Sequence, residues 1–428
     1  MSKKLIALVA IFAVALTGTV FAAVENIKVS GNYTMYGIAR NDFDFGTEIG
    51  ADNVDSTSGF ASVTNLKFDA DLTEDVMFTY IIRDERVMGL SGTYNSDDIT
   101  SSALYTACAF ATLKDFLSYP ITLKLGMQGF KLGSGLVVAD SNTNQTGGAT
   151  NPFGEGTGLG DLSPRKAFYG SVATVDLDPA TLTLAWLKAS EGEFDEDDDR
   201  NFYIANLGYN FEDYNTMGEV YWVYRDDQKE VAAKDDVTVY GVRAVSTLID
   251  SLTMSGEYAY QKQSDFRADG KDASDYAMQF AANYAFLDVD YAPAIGIDYT
   301  LISANWDPMS ESWTPARIAN AIFPNTNCET IGVNFSAEPR EDISIKLRYA
   351  YMDLTEKISA FGSSWVSAYS VKADKTELGS EIDFTMTYDY TEDVQFGVWV
   401  DYFEPGDFFD TGSDTEAVQA VGTMKVSF

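Results

Sequence analysis

Leu378-Gly379-Ser380-Glu381-Ile382-Asp383-Phe384-Thr385-Met386-Thr387-Tyr388 decides how this chain folds. Leu378, Ile382, Phe384, Met386 and Tyr388 share one parity, and Glu381, Asp383, Thr385 and Thr387 share the other. Side chains of a strand alternate between faces, so the segment reads as a strand with one oily wall and one wet wall. Val418, Ala420, Met424, Val426 and Phe428 repeat the pattern against Gln419, Thr423, Lys425 and Ser427. A final strand that carries no polar tail after Phe428 is expected to need a partner for its open edge. A closed barrel provides one.

Working back toward the N-terminus, eighteen alternating segments are expected. They span residues 26–40, 60–72, 75–87, 103–114, 120–130, 165–177, 181–190, 201–211 and 216–226. The second nine are 236–248, 251–263, 274–286, 290–304, 330–337, 342–355, 376–390, 393–403 and 416–428. Eight connections between them are short, and nine are longer and richer in Asp, Gly, Ser and Asn. An even strand number with tight turns at one end and long loops at the other is the layout of an outer-membrane barrel. A strand of about 12 residues tilted near 45° rises roughly 28 Å, enough to cross the apolar band. Sandwich strands run to about 5–6 residues and solenoids show a fixed short repeat, and neither fits. The expected fold is all-β: a transmembrane, antiparallel, up-and-down β-barrel.

At the N-terminus, Lys3 and Lys4 precede the apolar run Leu5–Leu16, then Thr17-Gly18-Thr19 and Val20-Phe21-Ala22. A basic start, an apolar stretch and a small residue at the cut make a secretory signal peptide, with cleavage expected after Ala22 or, second, after Ala23. The domain layout is then 1–22 signal peptide and 23–428 barrel. The apolar run is shorter than the roughly 18 residues of a spanning helix. No other run approaches that length, so any crossing of a membrane is expected to be by strands.

Removal of residues 1–22 leaves 27 basic residues against 65 acidic ones, a formal charge of −38. So acidic a chain repels nucleic acid. Cys108 and Cys328 lie far apart in sequence and are expected to be two free thiols rather than a disulfide framework. There is no histidine, which removes Ser-His-Asp and Cys-His arrangements and imidazole metal ligands. No phosphate-binding Gly-x-x-x-x-Gly-Lys-Ser/Thr occurs, and no βαβ setting exists for a dinucleotide fingerprint. Paired carboxylates are unavoidable in a chain with 65 acids and do not mark a catalytic dyad. The expectation is neither an enzyme nor a cofactor protein.

Two stretches carry a family resemblance. Ile121-Thr122-Leu123-Lys124-Leu125-Gly126-Met127-Gln128, followed by Lys131-Leu132-Gly133-Ser134-Gly135, resembles the strand and loop start that the alginate-export family of outer-membrane porins writes as Gly-Arg-Gln and a glycine-containing turn. Leu378-Gly379-Ser380-Glu381-Ile382-Asp383 and Tyr402-Phe403-Glu404-Pro405-Gly406-Asp407-Phe408 resemble that family's closing strands, and Glu74–Gly89, with Arg83-Asp84-Glu85-Arg86, is a weaker match. The resemblance implies an eighteen-stranded monomeric barrel that passes a polysaccharide or small solutes. Met127 stands where the signature has arginine, on the parity of Ile121, Leu123 and Leu125. The strong negative charge also sits badly with a polyanionic cargo, because a pore selects through the sign of its charged rings.

Polar-parity residues are the candidates to line the channel: the cations Lys67, Arg83, Lys124, Arg225, Arg243, Lys346 and Arg348, the acids Asp69, Glu85, Glu219, Glu257, Asp298, Glu381, Asp383 and Asp401, and Gln128. A wall ion pair that only fills the lumen explains Lys346 and Arg348 as well as solute contact does. The acidic run with Glu191, Glu193, Asp195, Asp197 and Asp199 could bind a divalent cation through carboxylate oxygens, but reads better as a solvated loop, so no metal is assigned. The long connections 131–164 and 305–329 are expected to include at least one that folds inward and narrows the channel. The functional expectation is an outer-membrane porin that passes small hydrophilic solutes or saccharides, both termini periplasmic. The rival is a surface-anchored barrel with a plugged lumen and an adhesive or envelope-attachment role. Expected partners are outer-membrane lipid, small hydrophilic solutes or oligosaccharides, and the barrel-assembly machinery through Phe428. Oligomeric state is left open.

Overall fold

A computed structural model of the chain describes residues 26–43, 45, 56–88, 102–139, 160–164, 167–190, 199–227, 236–263, 273–310, 312–323, 325–358, 371–410 and 416–428. The expected signal peptide, residues 1–22, lies outside them, as do Glu191, Glu193, Asp195 and Asp197 of the acidic run.

Alternation produces strands wherever it was read. They are β1 (Asn26–Asn41), β2 (Ser56–Thr73), β3 (Val76–Met88), β4 (Ser102–Leu113), β5 (Ile121–Gln128), β6 (Phe168–Asp176), β7 (Ala180–Ser190), β8 (Arg200–Phe211) and β9 (Thr216–Asp227). The ring continues through β10 (Val237–Ile249), β11 (Leu252–Gln263), β12 (Ala273–Ala285), β13 (Ala294–Ile302), β14 (Cys328–Arg340), β15 (Ile343–Asp353), β16 (Glu377–Asp389), β17 (Val394–Pro405) and β18 (Ala417–Ser427). A six-residue helix, α1 (Arg317–Ile322), sits in the connection between β13 and β14. Each strand pairs antiparallel with the next, and β18 pairs with β1 from Asn32↔Ser427 to Asn41↔Val418. At that seam Gly31 and Phe428 exchange two backbone hydrogen bonds, of 2.9 and 3.0 Å. Closure satisfies the edge that the last strand would otherwise expose.

The outer face is apolar through its middle, with Ile297, Val333, Leu347, Ile382 and Val400 all exposed. Aromatic residues gather on that face toward both ends. Tyr209–Phe211, Tyr284–Phe286 and Tyr388–Tyr390 lie near the short turns, and Tyr203–Tyr224, Trp222–Tyr224 and Tyr258–Tyr276 lie toward the long loops. Along β8, Tyr203 and Tyr209 are separated by about 20 Å of strand at ~3.3 Å per residue. Two aromatic belts around an apolar band match the two interfaces of a bilayer. No described helix is long and apolar enough to cross a membrane, so strands alone could do so.

The inner face is polar near the short turns and partly apolar near the long loops. There, inward side chains of β6–β13 bury Leu132, Leu136, Val137 and Val138 together with Trp306 and Met309. Inward side chains of β14–β18 bury Ile318, Ala319 and Phe323 of the other loop together with Phe45, Phe408 and Phe409. One residue departs from its expected side. Leu378, expected on the oily outer wall with Ile382, is fully buried in this inner cluster. Gly379, at φ +129°, follows it, and the register shift between β15 and β16 leaves Leu378 itself without a partner, which turns its side chain inward. Strand lengths differ modestly from expectation. β14 begins two residues earlier and ends three later than residues 330–337, whereas β13 gives up four residues to the turn that carries Tyr291 and Ala292 at positive φ. Cys108 and Cys328 are both free thiols.

Candidate pore constriction

Register assigns every candidate to a face. Tyr36, Ile38 and Arg40 of β1 stand opposite Ala61, Gly59 and Thr57 of β2, and the inward parity passes from strand to strand around the ring. Lys67, Asp69, Arg83, Glu85, Lys124, Gln128, Glu219, Arg225, Arg243, Glu257, Asp298, Lys346, Arg348, Glu381, Asp383 and Asp401 all fall on that parity. They do not form one surface. Lys124 and Lys346 are exposed nearer the short turns, with Lys124 5.8 Å from the Phe110 ring centre. Lys67 pairs with Asp69 on its own strand at 2.7 Å. Glu85, Gln128, Arg225, Glu381 and Asp401 face inward but are almost wholly buried. Gln128 donates to the Lys124 and Gly170 carbonyls, which makes it a wall bond rather than an open contact.

What buries several of them is chain folded in from the long-loop end. Both expected connections fold inward. In the first, Ser134 N–H donates to Glu257 at 3.0 Å and Ser134 Oγ to Gln279 at 2.8 Å. Its other described arm carries Asp161, which accepts from Arg40 at 2.7 and 3.0 Å, and Ser163, whose hydroxyl donates to Glu85 at 2.9 Å. Glu257 stands on β11, while Arg40 and Glu85 stand on β1 and β3. In a ring of eighteen strands these lie on opposite sides, so this connection touches both walls.

The second connection is held by its backbone. Asp307 N–H donates to Gln261 Oε1, Gln261 Nε2 donates to the Asp307 carbonyl, and Gln263 Nε2 donates to the Asn305 carbonyl. Asp275 accepts from the Ser303 hydroxyl and the Asn305 N–H, and Arg225 pairs with Asp307 at 2.6 Å. Farther along, the Glu381 carboxylate accepts from the Ile318 and Ala319 N–H groups at 2.6 and 2.9 Å. The first turn of α1 leaves those amides without helical partners, and its N-cap, Ala316, has no side chain to cap them. A wall acid does so instead. The two connections also join each other: Ala139 N–H donates to the Ser310 carbonyl at 2.6 Å and Ser312 N–H to the Gly135 carbonyl at 2.7 Å.

The result is a narrowed lumen with a charged rim. Arg243 pairs with Glu219 at 2.9 Å and lies 3.6 Å from Glu257, which also accepts from the Tyr221 hydroxyl at 2.7 Å. Arg348 reaches Asp298 at 2.8 Å and donates to the Pro315 carbonyl at 2.7 Å. Arg317, from the loop, pairs with Asp401, donates to Thr385 Oγ1 at 2.6 Å and lies over the Trp399 ring at 5.0 Å. Between this loop and the wall opens a cavity of about 440 Å³, lined by Gln279, Asp298, Thr300, Arg348 and Asp383 from the strands and by Trp313 and Arg317 from the loop. Such a volume falls in the range of small-molecule sites.

Two glycines make these pairs possible. Asp298 on β13 reaches Arg348 on β15 by lying across Gly332 of β14, where a Cβ would meet its carboxylate at 2.4 Å. Tyr221 on β9 reaches Glu257 on β11 by lying across Gly241, where a Cβ would meet the ring at 2.0 Å. Sequence reasoning passed over Arg40, Asp161, Gln261, Gln263, Asp275, Trp313 and Arg317. Strand parity was available for Arg40, Gln261, Gln263 and Asp275, whereas the others sit in connections, where no periodicity marks a side. Of the acidic run, Asp199 is described and pairs with Lys188 at 2.8 Å. Among the described residues no cluster of Cys, Asp or Glu is placed to hold a metal ion.

No protein-family model matches the sequence, and no curated relative matches it. Solved structures do match in shape. OccK8 (OprE) of Pseudomonas aeruginosa superposes with a TM-score of 0.59 at 12% identity, over 95% of this chain and 99% of that one. OccK11 (OpdR) of the same organism gives 0.58 at 11% identity, over 95% and 97%. OccK2 (OpdF), solved in complex with glucuronate, gives 0.58 at 11%, over 95% and 99%. At that identity the likeness is one of fold, and the chain is a closed, eighteen-stranded, antiparallel barrel of the outer-membrane porin type.

Proposed function

We propose that this protein is a passive channel of the bacterial outer membrane for small hydrophilic solutes, entering through the long-loop end, with both termini periplasmic. The observation that carries the reading is the joining of two inward connections across a barrel that is apolar outside, leaving a charged rim and a solute-sized cavity inside. Filtering is steric and electrostatic: the joined loops set the size limit, and the fixed charges beside them favour one sign of solute. Alginate or another polyuronate is the weaker cargo, because acids outnumber arginines at the rim and a polyanion would be repelled. Saccharides without charge remain within the reading.

Purified barrel inserted into planar lipid bilayers tests it. Discrete conductance steps in potassium chloride are expected. Barrels that insert, shown by protease protection in liposomes, yet never conduct would overturn the channel. They would favour a surface anchor with a closed lumen, a reading supported by the aromatic cluster of Phe45, Phe323, Phe403 and Phe409 inside the long-loop end. Cleavage after Ala22 belongs to the same proposal, and N-terminal sequencing of the mature protein checks it. So does engagement of the assembly machinery by Phe428, which is exposed beside the seam.

A further inference from the structure

Three acids meet behind α1. The Asp383 carboxyl lies within hydrogen-bonding reach of the Glu381 and Asp401 carboxyls, and all three are buried. Asp383 Oδ1 accepts from no N–H or hydroxyl. Carboxylates in contact cannot all be ionised without strong repulsion, so the arrangement calls for a proton held among them. The surrounding groups do not remove that need. From β15, Arg348 stands directly across from Asp383 but turns to Asp298 of β13 and to the Pro315 carbonyl. From the loop, Arg317 pairs with Asp401 and donates to Thr385. From β18, the neutral Gln419 donates to Asp401 at 2.7 Å. One arginine answers three acids.

The same acids hold both inward connections. Glu381 caps the Ile318 and Ala319 amides of α1, and Asp401 anchors Arg317, the first residue of that helix. Gln419 Oε1 accepts from Arg40 at 3.0 Å, which joins Asp401 to the Arg40–Asp161 pair that fixes the first connection. We propose that a proton held within Glu381, Asp383 and Asp401 keeps the two connections seated, and that its release as pH rises loosens them and widens the channel. With the proton present, hydrogen bonds between carboxyls draw the trio together. Without it, three like charges in contact push apart against one arginine, and the loop groups they hold move with them. The inference rests on the channel reading above for its main readout and adds to it a control of the bore.

A chain without histidine makes the test clean. Between about pH 6 and 9 its only ordinary groups that change charge appreciably are two thiols and the terminal amine. In planar bilayers the single-channel conductance should rise and grow noisier as pH is raised through that window. Glu381→Gln keeps an oxygen for the α1 amides and offers Asp383 an N–H in place of the proton. Asp383→Asn likewise supplies an N–H that solution pH cannot remove. Both variants should hold the low, quiet conductance across the window. A conductance independent of pH in the unmodified protein, or a response that survives in the variants, would overturn the switch and leave the channel standing. If no steps appear at any pH the channel reading falls, and infrared spectra of the barrel in liposomes decide the switch. A protonated-carboxyl band at the acidic end of the window that fades toward the alkaline end is expected, and its absence overturns the proposal. The same spectra decide the matter if neither variant inserts.

Discussion

Gly332 and Gly241 show how much of the rim depends on an absent side chain. At Gly332 the obstacle to a Cβ is the end of the Asp298 carboxylate, which can swing aside. Gly332→Ala should therefore leave the fold in place and break the Asp298–Arg348 pair. Both partners are about a quarter exposed, so the pair contributes only about 0–1 kcal/mol and the melting temperature in detergent should barely move. The net charge is unchanged, because Asp298 and Arg348 are both freed, so the expected change is in single-channel conductance, as the two side chains take new positions beside the bore. An unchanged conductance would mean that this pair does not face the permeating ions. At Gly241 the obstacle is the buried Tyr221 ring, which has nowhere to go. Gly241→Val should cost about 1–3 kcal/mol by overpacking, seen as a lower unfolding midpoint. Neither glycine stands out in the sequence, since any of the 33 glycines could have filled such a place.

The elements that set the bore are the two connections. Each is held by wall side chains that accept from or donate to its backbone, a function that strand parity cannot distinguish from lining open water. Glu381 is the clearest case. It was legible as an inward acid, yet it serves as the N-terminal cap of a helix from another part of the chain. Glu381→Ala leaves the first amides of α1 unsatisfied at a cost of about 1–2 kcal/mol to the loop, with the barrel intact. Single-channel recordings should then show larger and noisier conductance while the global melt stays put. A variant with unaltered conductance would show that α1 does not border the ion path.

At the scale of the molecule, charge is the deciding quantity. The chain carries a formal charge of −36, and at the rim Glu219, Glu257, Asp298, Glu381, Asp383 and Asp401 face Arg243, Arg317 and Arg348. A pore with this balance should pass potassium in preference to chloride. The preference should shrink between 0.1 and 1 M salt, as the screening length falls from about 10 Å to about 3 Å. Reversal potentials across a salt gradient measure this directly, and a firm chloride preference would contradict it. The exposed inward lysines Lys124 and Lys346 lie nearer the short turns, so they should modify the preference more weakly than the rim does.

By itself the sequence determined the barrel. Alternation with period two is a local property, set by the geometry of an extended chain, so strand number, the inward parity of Arg243, Arg348 and Asp383, and the contrast of short turns with long loops could all be read along it. It also determined that two connections were long enough to enter the lumen. Only the tertiary structure decided where they went and what they covered. Whether an inward acid meets water, an arginine two strands away or the end of a helix depends on contacts between residues far apart in the chain. Nothing in the spacing of Glu381 and Asp401 distinguishes the one that caps α1 from the one that pairs with Arg317.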